Sequence, residues 1–177
     1  MMNSKVTLQG KASGGKTVSE ILTGTNEALC DNNEMEMFVS VWLGILEIST
    51  GKMVCGNAGH EYPAIYRSGG RFDLLKDKHG LVLGGMEGIT YSEYELKLDP
   101  GDKVFVYTDG IPEASDSSMN MFGTERMVDA LNSDPEASPG TLVHNVRDAV
   151  SDFVKGAEQF DDLTMLCMVY HGSGSLP

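Results

Sequence analysis

The hydrophobic period switches between helix and strand along this chain of 177 residues, and the order of the switches limits the folds open to it. From Met37 to Asp116 the apolar residues come in short runs broken by turn residues, as strands do. Beyond it they recur at helical spacing until a last apolar run, LTMLCMVY (163–170). Strands in the first two-thirds, with helices in the connection before the last strand, predict an α+β layout with a mostly antiparallel sheet.

Local signals place the elements. Thr17-Val18-Ser19-Glu20 has the spacing of a capping box, and Val18, Ile21, Leu22, Ala28 and Leu29 behind it approximate one helical face ending near Cys30. MFVSVWLGILEI (37–48) is too apolar for a surface strand and is expected to be a buried one. Ser49-Thr50-Gly51-Lys52 turns it into MVCGNAG (53–59), a hairpin. YPAIYR (62–67), Gly69-Gly70 and RFDLL (71–75) predict a second hairpin. YELKL (94–98) alternates, with Tyr94, Leu96 and Leu98 on one side. Asp99-Pro100-Gly101-Asp102 is a turn leading into an apolar run (104–107) that stops at Thr108-Asp109-Gly110. Residues 122–131 read as a short helix. Ser138-Pro139 gives the next helix an N-cap and a first-turn proline, and Leu142, Val146, Val150 and Phe153 line one face of it. The run 163–170 is apolar on both faces, which predicts a central strand. GSGSLP (172–177) reads as a flexible tail. No repeat or internal domain boundary is visible, so residues 1–171 are taken as one piece.

Composition narrows the function. At 41% hydrophobic and 22% charged the chain is in the ordinary globular range. No stretch approaches the roughly 18 apolar residues of a membrane span, and the opening MMNSKVTLQGK lacks the apolar core of a secretory signal. Cys30, Cys55 and Cys167 form no CxxC pair and are odd in number, which favours reduced thiols in a cytoplasmic setting. A net charge of −13 without a basic run argues against nucleic acid as a partner. It also repels anionic substrates, so a chain like this that handles phosphate needs a metal ion to supply positive charge.

Two acidic positions sit at strand ends. Asp109 ends one apolar run and Asp161-Asp162 begins another. If those strands are neighbours, the carboxylates converge on one rim, and hard cations such as Mg²⁺ or Mn²⁺ prefer such oxygens. On spacing alone, Asp-Gly as a plain turn and Asp-Asp as a plain strand cap is the commoner case, since acidic turn residues are frequent. His60, in NAGHEYP, reads as an acid, a ligand or a structural loop residue. Glu113 and Asp116 read as outer groups of a site or as a solvated acidic loop. Gly84-Gly85 lacks the Lys and Ser/Thr of a phosphate-cradling loop and reads as a turn. The eleven methionines read as core filler.

Four segments in order carry a resemblance: FVSVWLGILEISTGKMVCGNAGHEYPAIYR, LDPGDKVFVYTDGIPEASD, FGTERM and FDDLTMLCMVY. Together they resemble the later part of a bacterial metal-dependent protein phosphatase of the stage II sporulation protein E type, a branch of the type 2C-like serine/threonine phosphatases. The resemblance implies an antiparallel β-sandwich flanked by helices. It also implies a centre of two Mn²⁺ or Mg²⁺ ions at one rim, where a hydroxide attacks phosphorus in line. Asp109 and Asp161 are implied as metal ligands, with Gly110, Asp162 and His60 as outer-shell candidates.

The family's early Gly-Asp motif, with its bridging Asp, and the Asp-x-Ser-Gly-Lys-Gly-like segment after it are not found here. The chain therefore reads as a fragment, incomplete at its N-terminus, opening in the helix that follows them. It is expected to hold at most one metal weakly and to be inactive or nearly so. Self-association through an uncovered sheet edge is expected as well. The substrate class implied is a phosphoprotein, typically an anti-sigma-factor antagonist, with an upstream sensor domain and a parent protein that can be membrane-anchored. The competing reading is an inactive pseudophosphatase that docks a partner. VFVYTDG also resembles the nucleophile strand of haloacid-dehalogenase-like phosphatases, but Ile111 stands where that chemistry needs a second Asp.

Overall fold

The computed structural model describes residues 2–12, 14–31, 37–156 and 162–174. Its elements run α1 (Met2–Lys11), α2 (Val18–Cys30), β1 (Val41–Glu47), β2 (Lys52–Ala58), β3 (Ala64–Tyr66), β4 (Phe72–Leu74), β5 (Glu93–Lys97), β6 (Lys103–Tyr107), α3 (Gly123–Asn132), α4 (Pro139–Val154) and β7 (Met165–Val169). The strands form a three-stranded sheet, β1-β2-β5, and a four-stranded sheet, β4-β3-β6-β7. Every pairing between them is antiparallel, so the α+β class holds. The chain divides into two compact units, Met1–His60 with Asp77–Lys97 and Glu61–Lys76 with Leu98–Pro177.

In the first unit the capping box is real. The Glu20 N–H donates to Thr17 Oγ1 at 3.2 Å and the Thr17 N–H to Glu20 Oε2 at 2.8 Å, satisfying two donors at the start of α2. Val18 and Leu22 of α2 pack with Ala58, Leu83 and Tyr91. The helix lies so close to β2 that a Cβ on Gly56 would sit 2.6 Å from Val18 Cγ1, so only glycine fits there. In β5 the side carrying Tyr94 and Leu96 turns inward, as the alternation predicts. The expectation of a buried strand over 37–48 needs correction. β1 is shorter, pairs among the described residues with β2 alone and is only partly buried, while Phe38 and Ile48 beside it are exposed. Its side chains are apolar on both faces, a pattern that burial of both faces would also produce.

In the second unit β6 lies between β3 and β7. One face of the sheet is sealed by Leu142, Val146 and Val150 of α4 and Met127 and Leu131 of α3 against Phe72, Phe105 and Tyr107. Fully burying such side chains stabilises by roughly 1.5–3 kcal/mol each. Ser138 caps α4 by accepting from the Thr141 N–H at 3.2 Å, with Pro139 following as predicted. The central place expected for 163–170 belongs instead to β6. β7 pairs with β6 alone among the described residues, and Leu166 is 57% exposed. Of the predicted tail, residues 175–177 lie outside the described residues.

Candidate functional site

The rim at the end of β6 is built by Thr108. Its N–H donates to the Thr164 carbonyl at 3.1 Å, and its Oγ1 donates to the Asp162 carbonyl at 3.1 Å and accepts from the Thr164 N–H at 3.2 Å. One β-branched hydroxyl residue thus staples the end of β6 to the approach of β7, continuing the register that sets Tyr107 opposite Met165. Asp109 comes next, exposed, with its backbone fixed because its carbonyl accepts from the Glu113 N–H at 3.0 Å. Among the described residues the Asp109 carboxylate has no hydrogen-bond or ion-pair partner. Gly110 is buried behind it, and Asp162 is exposed on the facing segment. Asp161, the second ligand implied by resemblance, lies outside the described residues.

Two residues before Asp109, the Tyr107 hydroxyl is buried with no partner among the described residues. Burial and then the charge of Glu61 push its pKa up. Past Asp109 the acidic loop resolves into structure. Asp116 accepts from the Ser118 and Asn120 N–H groups at 2.8 and 2.9 Å and from Asn120 Nδ2 at 3.0 Å. The Asn120 side-chain amide leads the bonds that hold its carboxyl below the usual range. That is a turn-building role.

NAGH is a structural turn in the first unit. Buried Asn57 accepts from the His60 N–H at 2.8 Å and donates through Nδ2 to the His60 carbonyl at 3.1 Å, while His60 Nδ1 meets Ser40 Oγ at 3.2 Å. Gly59 has φ +71°, and a Cβ there would lie 2.7 Å from Val82. Asn57 Nδ2 also donates to the Asp77 carboxylate at 3.3 Å. Asp77, with a side chain only 2% exposed, accepts from Tyr94 OH at 2.8 Å, which accepts in turn from Trp42 Nε1 at 3.0 Å. Burial raises the Tyr94 pKa and pushes the Cys55 thiol up to about 12. Neither Asp77 nor Thr108 was singled out from sequence. Asp77 sits between lysines in KDKHG, a segment to which the sequence reading assigns no role, and Thr108 reads there only as a turn residue.

For a divalent cation the rim donors fit in kind and fall short in number. Carboxylate oxygens suit Mg²⁺ or Mn²⁺, yet among the described residues no three His, Cys, Asp or Glu side chains come together to hold an ion. No described helix is long and apolar enough to cross a membrane.

The chain matches known proteins along most of its length. It is 31% identical over 145 residues to Protein IcfG of Synechocystis sp. (strain ATCC 27184 / PCC 6803 / Kazusa), covering 81% of this chain and 23% of that protein. It is 29% identical over 97 residues to the phosphoserine phosphatase RsbU of Bacillus subtilis (strain 168), covering 54% and 28%. The chain thus spans about a quarter of the length of these curated relatives. The SiaA-PP2C domain of Pseudomonas aeruginosa has the same fold, at a TM-score of 0.82 and 18% identity over 96% of this chain and 68% of that one. So does the phosphatase domain of SpoIIE from Bacillus subtilis presoaked with Mn, at 0.68 and 14% over 100% and 76%. The family model of stage II sporulation protein E (SpoIIE) matches residues 1–171, and the chain belongs to that family.

Proposed function

We propose that residues 1–171 form the later part of the catalytic domain of a metal-dependent phosphoserine/phosphothreonine protein phosphatase, with Asp109 and Asp161 as ligands of Mn²⁺ or Mg²⁺. The observation that carries this reading is the exposed carboxylate of Asp109, unpartnered among the described residues, on a rim that Thr108 locks to the segment containing Asp162. A bound divalent ion supplies positive charge to a phosphate and makes a water nucleophilic at neutral pH. The chain's own part is to hold Asp109 still through Thr108 and the Glu113 N–H, and to keep Gly110 small and buried behind it. Asp162 and His60 are at most outer groups. The substrate proposed is a phosphorylated regulatory protein of the anti-sigma-factor-antagonist type, with an upstream sensor in the parent chain. A reducing, cytoplasmic setting belongs to the same reading. Among the described residues β1 and β7 each have a single neighbouring strand, and their other edges are ones through which copies can associate.

The test is Mn²⁺ binding by calorimetry, together with Mn²⁺-dependent hydrolysis of a phosphoserine peptide, by this chain and by an upstream-extended chain. Weak Mn²⁺ binding that Asp109→Asn abolishes is expected here, with strong hydrolysis only in the extended chain. Vigorous hydrolysis by the present chain would sink the missing-ligand part of the reading. A folded extended chain that binds Mn²⁺ but hydrolyses nothing would leave the pseudophosphatase reading in its place.

A further inference from the structure

We propose that the cleft between β4 and α3 is a docking groove for an extended, basic peptide segment of a partner protein. The cleft measures about 450 Å³, with Arg71, Leu74 and Lys76 on the strand side and Glu125, Val128 and Asp129 on the helix side. It lies within the second unit and stands apart from the phosphatase reading.

The strand side offers a free backbone edge. Among the described residues β4 pairs with β3 alone, Asp73 lies opposite Ile65, and the Leu75 N–H donates to the Pro63 carbonyl. In an antiparallel pair this turns the peptide groups of Phe72 and Leu74 outward. At Phe72 that edge is already used. Its N–H donates to Asn132 Oδ1 at 2.7 Å and its carbonyl accepts from Asn132 Nδ2 at 3.0 Å, so a side-chain amide does what a neighbouring strand's peptide would. Leu74 carries the next outward pair, and it lines the cleft. A peptide extending along β4 would take up the pairing there, the usual way a strand is added to an open sheet edge.

The helix side sets the charge of the guest. Glu125 and Asp129 lie one turn apart on α3, both exposed, and neither joins an ion pair among the described residues. The third acid of the cleft, Asp73, already meets Arg71 at 3.4 Å. Val128, between the two helix acids, offers an apolar surface for the stem of a lysine or arginine. A net charge of −13 draws cationic segments, and the helix acids disfavour a phosphate. Of the two cleft cations, Arg71 is paired with Asp73, and Lys76 opposes such a guest.

The probe is a fluorescein-labelled, end-capped heptapeptide of alternating Val and Lys, titrated with the chain at low salt and followed by anisotropy. The double variant Glu125→Lys/Asp129→Lys is expected to bind about tenfold more weakly, and Lys76→Glu about threefold more tightly. The control Asp148→Lys/Asp152→Lys changes net charge equally on α4 and is expected to leave binding unchanged. Hydrogen exchange at the Leu74 amide is expected to slow on binding. If Glu125→Lys/Asp129→Lys does not fold, Glu125→Gln/Asp129→Asn takes its place with a smaller loss of the same sign. The proposal is overturned by absence of binding, by equal losses in the α3 and α4 variants, or by equal binding of the peptide with Glu in place of Lys. Protection that avoids Leu74 overturns it too.

Discussion

The two ends of β6 carry the same residue type in opposite circumstances. Asp102, just before the strand, is 2% exposed and accepts from Arg67 Nη1 at 2.6 Å, the Ser68 N–H at 2.8 Å and the Asp99 N–H at 3.1 Å. Its own backbone continues the sheet, with its carbonyl accepting from the Tyr170 N–H at 2.9 Å. Asp109, just after the strand, is exposed, and among the described residues its carboxylate meets no donor. A carboxylate saturated with donors holds a turn together, and one held still but left unsatisfied is available to a ligand. The difference lies in what surrounds each carboxylate and not in sequence motif strength, since DPGD and TDG are both turn signals.

The largest expected effect breaks that contrast directly. Asp102→Ala leaves two N–H groups without their acceptor in a buried corner, and should lower stability by about 3 kcal/mol. Arg67 is half exposed, so Arg67→Ala should cost only about 1 kcal/mol. Asp109→Ala should stay within about 0.5 kcal/mol of the parent while losing Mn²⁺ binding. Urea denaturation of the three variants measures this. Similar losses for Asp102→Ala and Asp109→Ala would remove the distinction drawn between the two ends.

A second, smaller effect extends the contrast to the other sheet. Asn57→Ala removes the bonds to both backbone groups of His60 and the contact with Asp77, and should destabilise by about 2 kcal/mol. His60→Ala leaves the Asn57 clamp on the backbone intact and should cost less than half as much. If His60→Ala were the more damaging, the NAGH turn would owe its form to the imidazole.

Acid sharpens the same comparison. Burial alone would raise the Asp102 pKa, but the Ser68 and Asp99 N–H groups and Arg67 outweigh it and hold the carboxyl below its ordinary 3.8. The folded pKa is therefore below the unfolded one. The stabilisation is complete above the unfolded value and is lost as pH falls through the folded value. Stability followed by circular dichroism from pH 5 downward should fall in the parent, and the fall should shrink in Asp102→Asn. An unchanged acid profile in that variant would place the acid sensitivity elsewhere.

Much of the fold could be read from local chemistry. The capping box at Thr17, the Ser138-Pro139 start and both hairpin turns act within a few residues, so sequence spacing reports them. The edge positions of β1 and β7 could not be read this way. A strand with apolar side chains on both faces looks the same whether it has one neighbour or two, and neighbours are settled by distant residues. The site divides likewise. Asp109 was visible because the apolar run stops there, whereas the Thr108 staple depends on Thr164, 56 residues away. Asp77 is hidden in the sequence because lysines flank it, although Asn57 and Tyr94 bury it.

The loop that follows Asp109 yields the smallest expected effect. Met119 has φ +64°, in the left-handed region where a side chain's Cβ is crowded by the backbone, and its side chain is 72% exposed. The Asp116 bonds to Ser118 and Asn120 hold it there. Glycine removes a strain of about 1 kcal/mol, and gives back part of that gain through the greater freedom of the unfolded chain. Met119→Gly should therefore raise stability by about 0.5 kcal/mol, and Met119→Ala should leave it nearly unchanged, as read from paired thermal melts. Destabilisation by both substitutions would mean that the methionine side chain, exposed as it is, makes contacts that outweigh the strain. The loop would then belong with the saturated end of β6, as structure, and not with the open end that Asp109 marks.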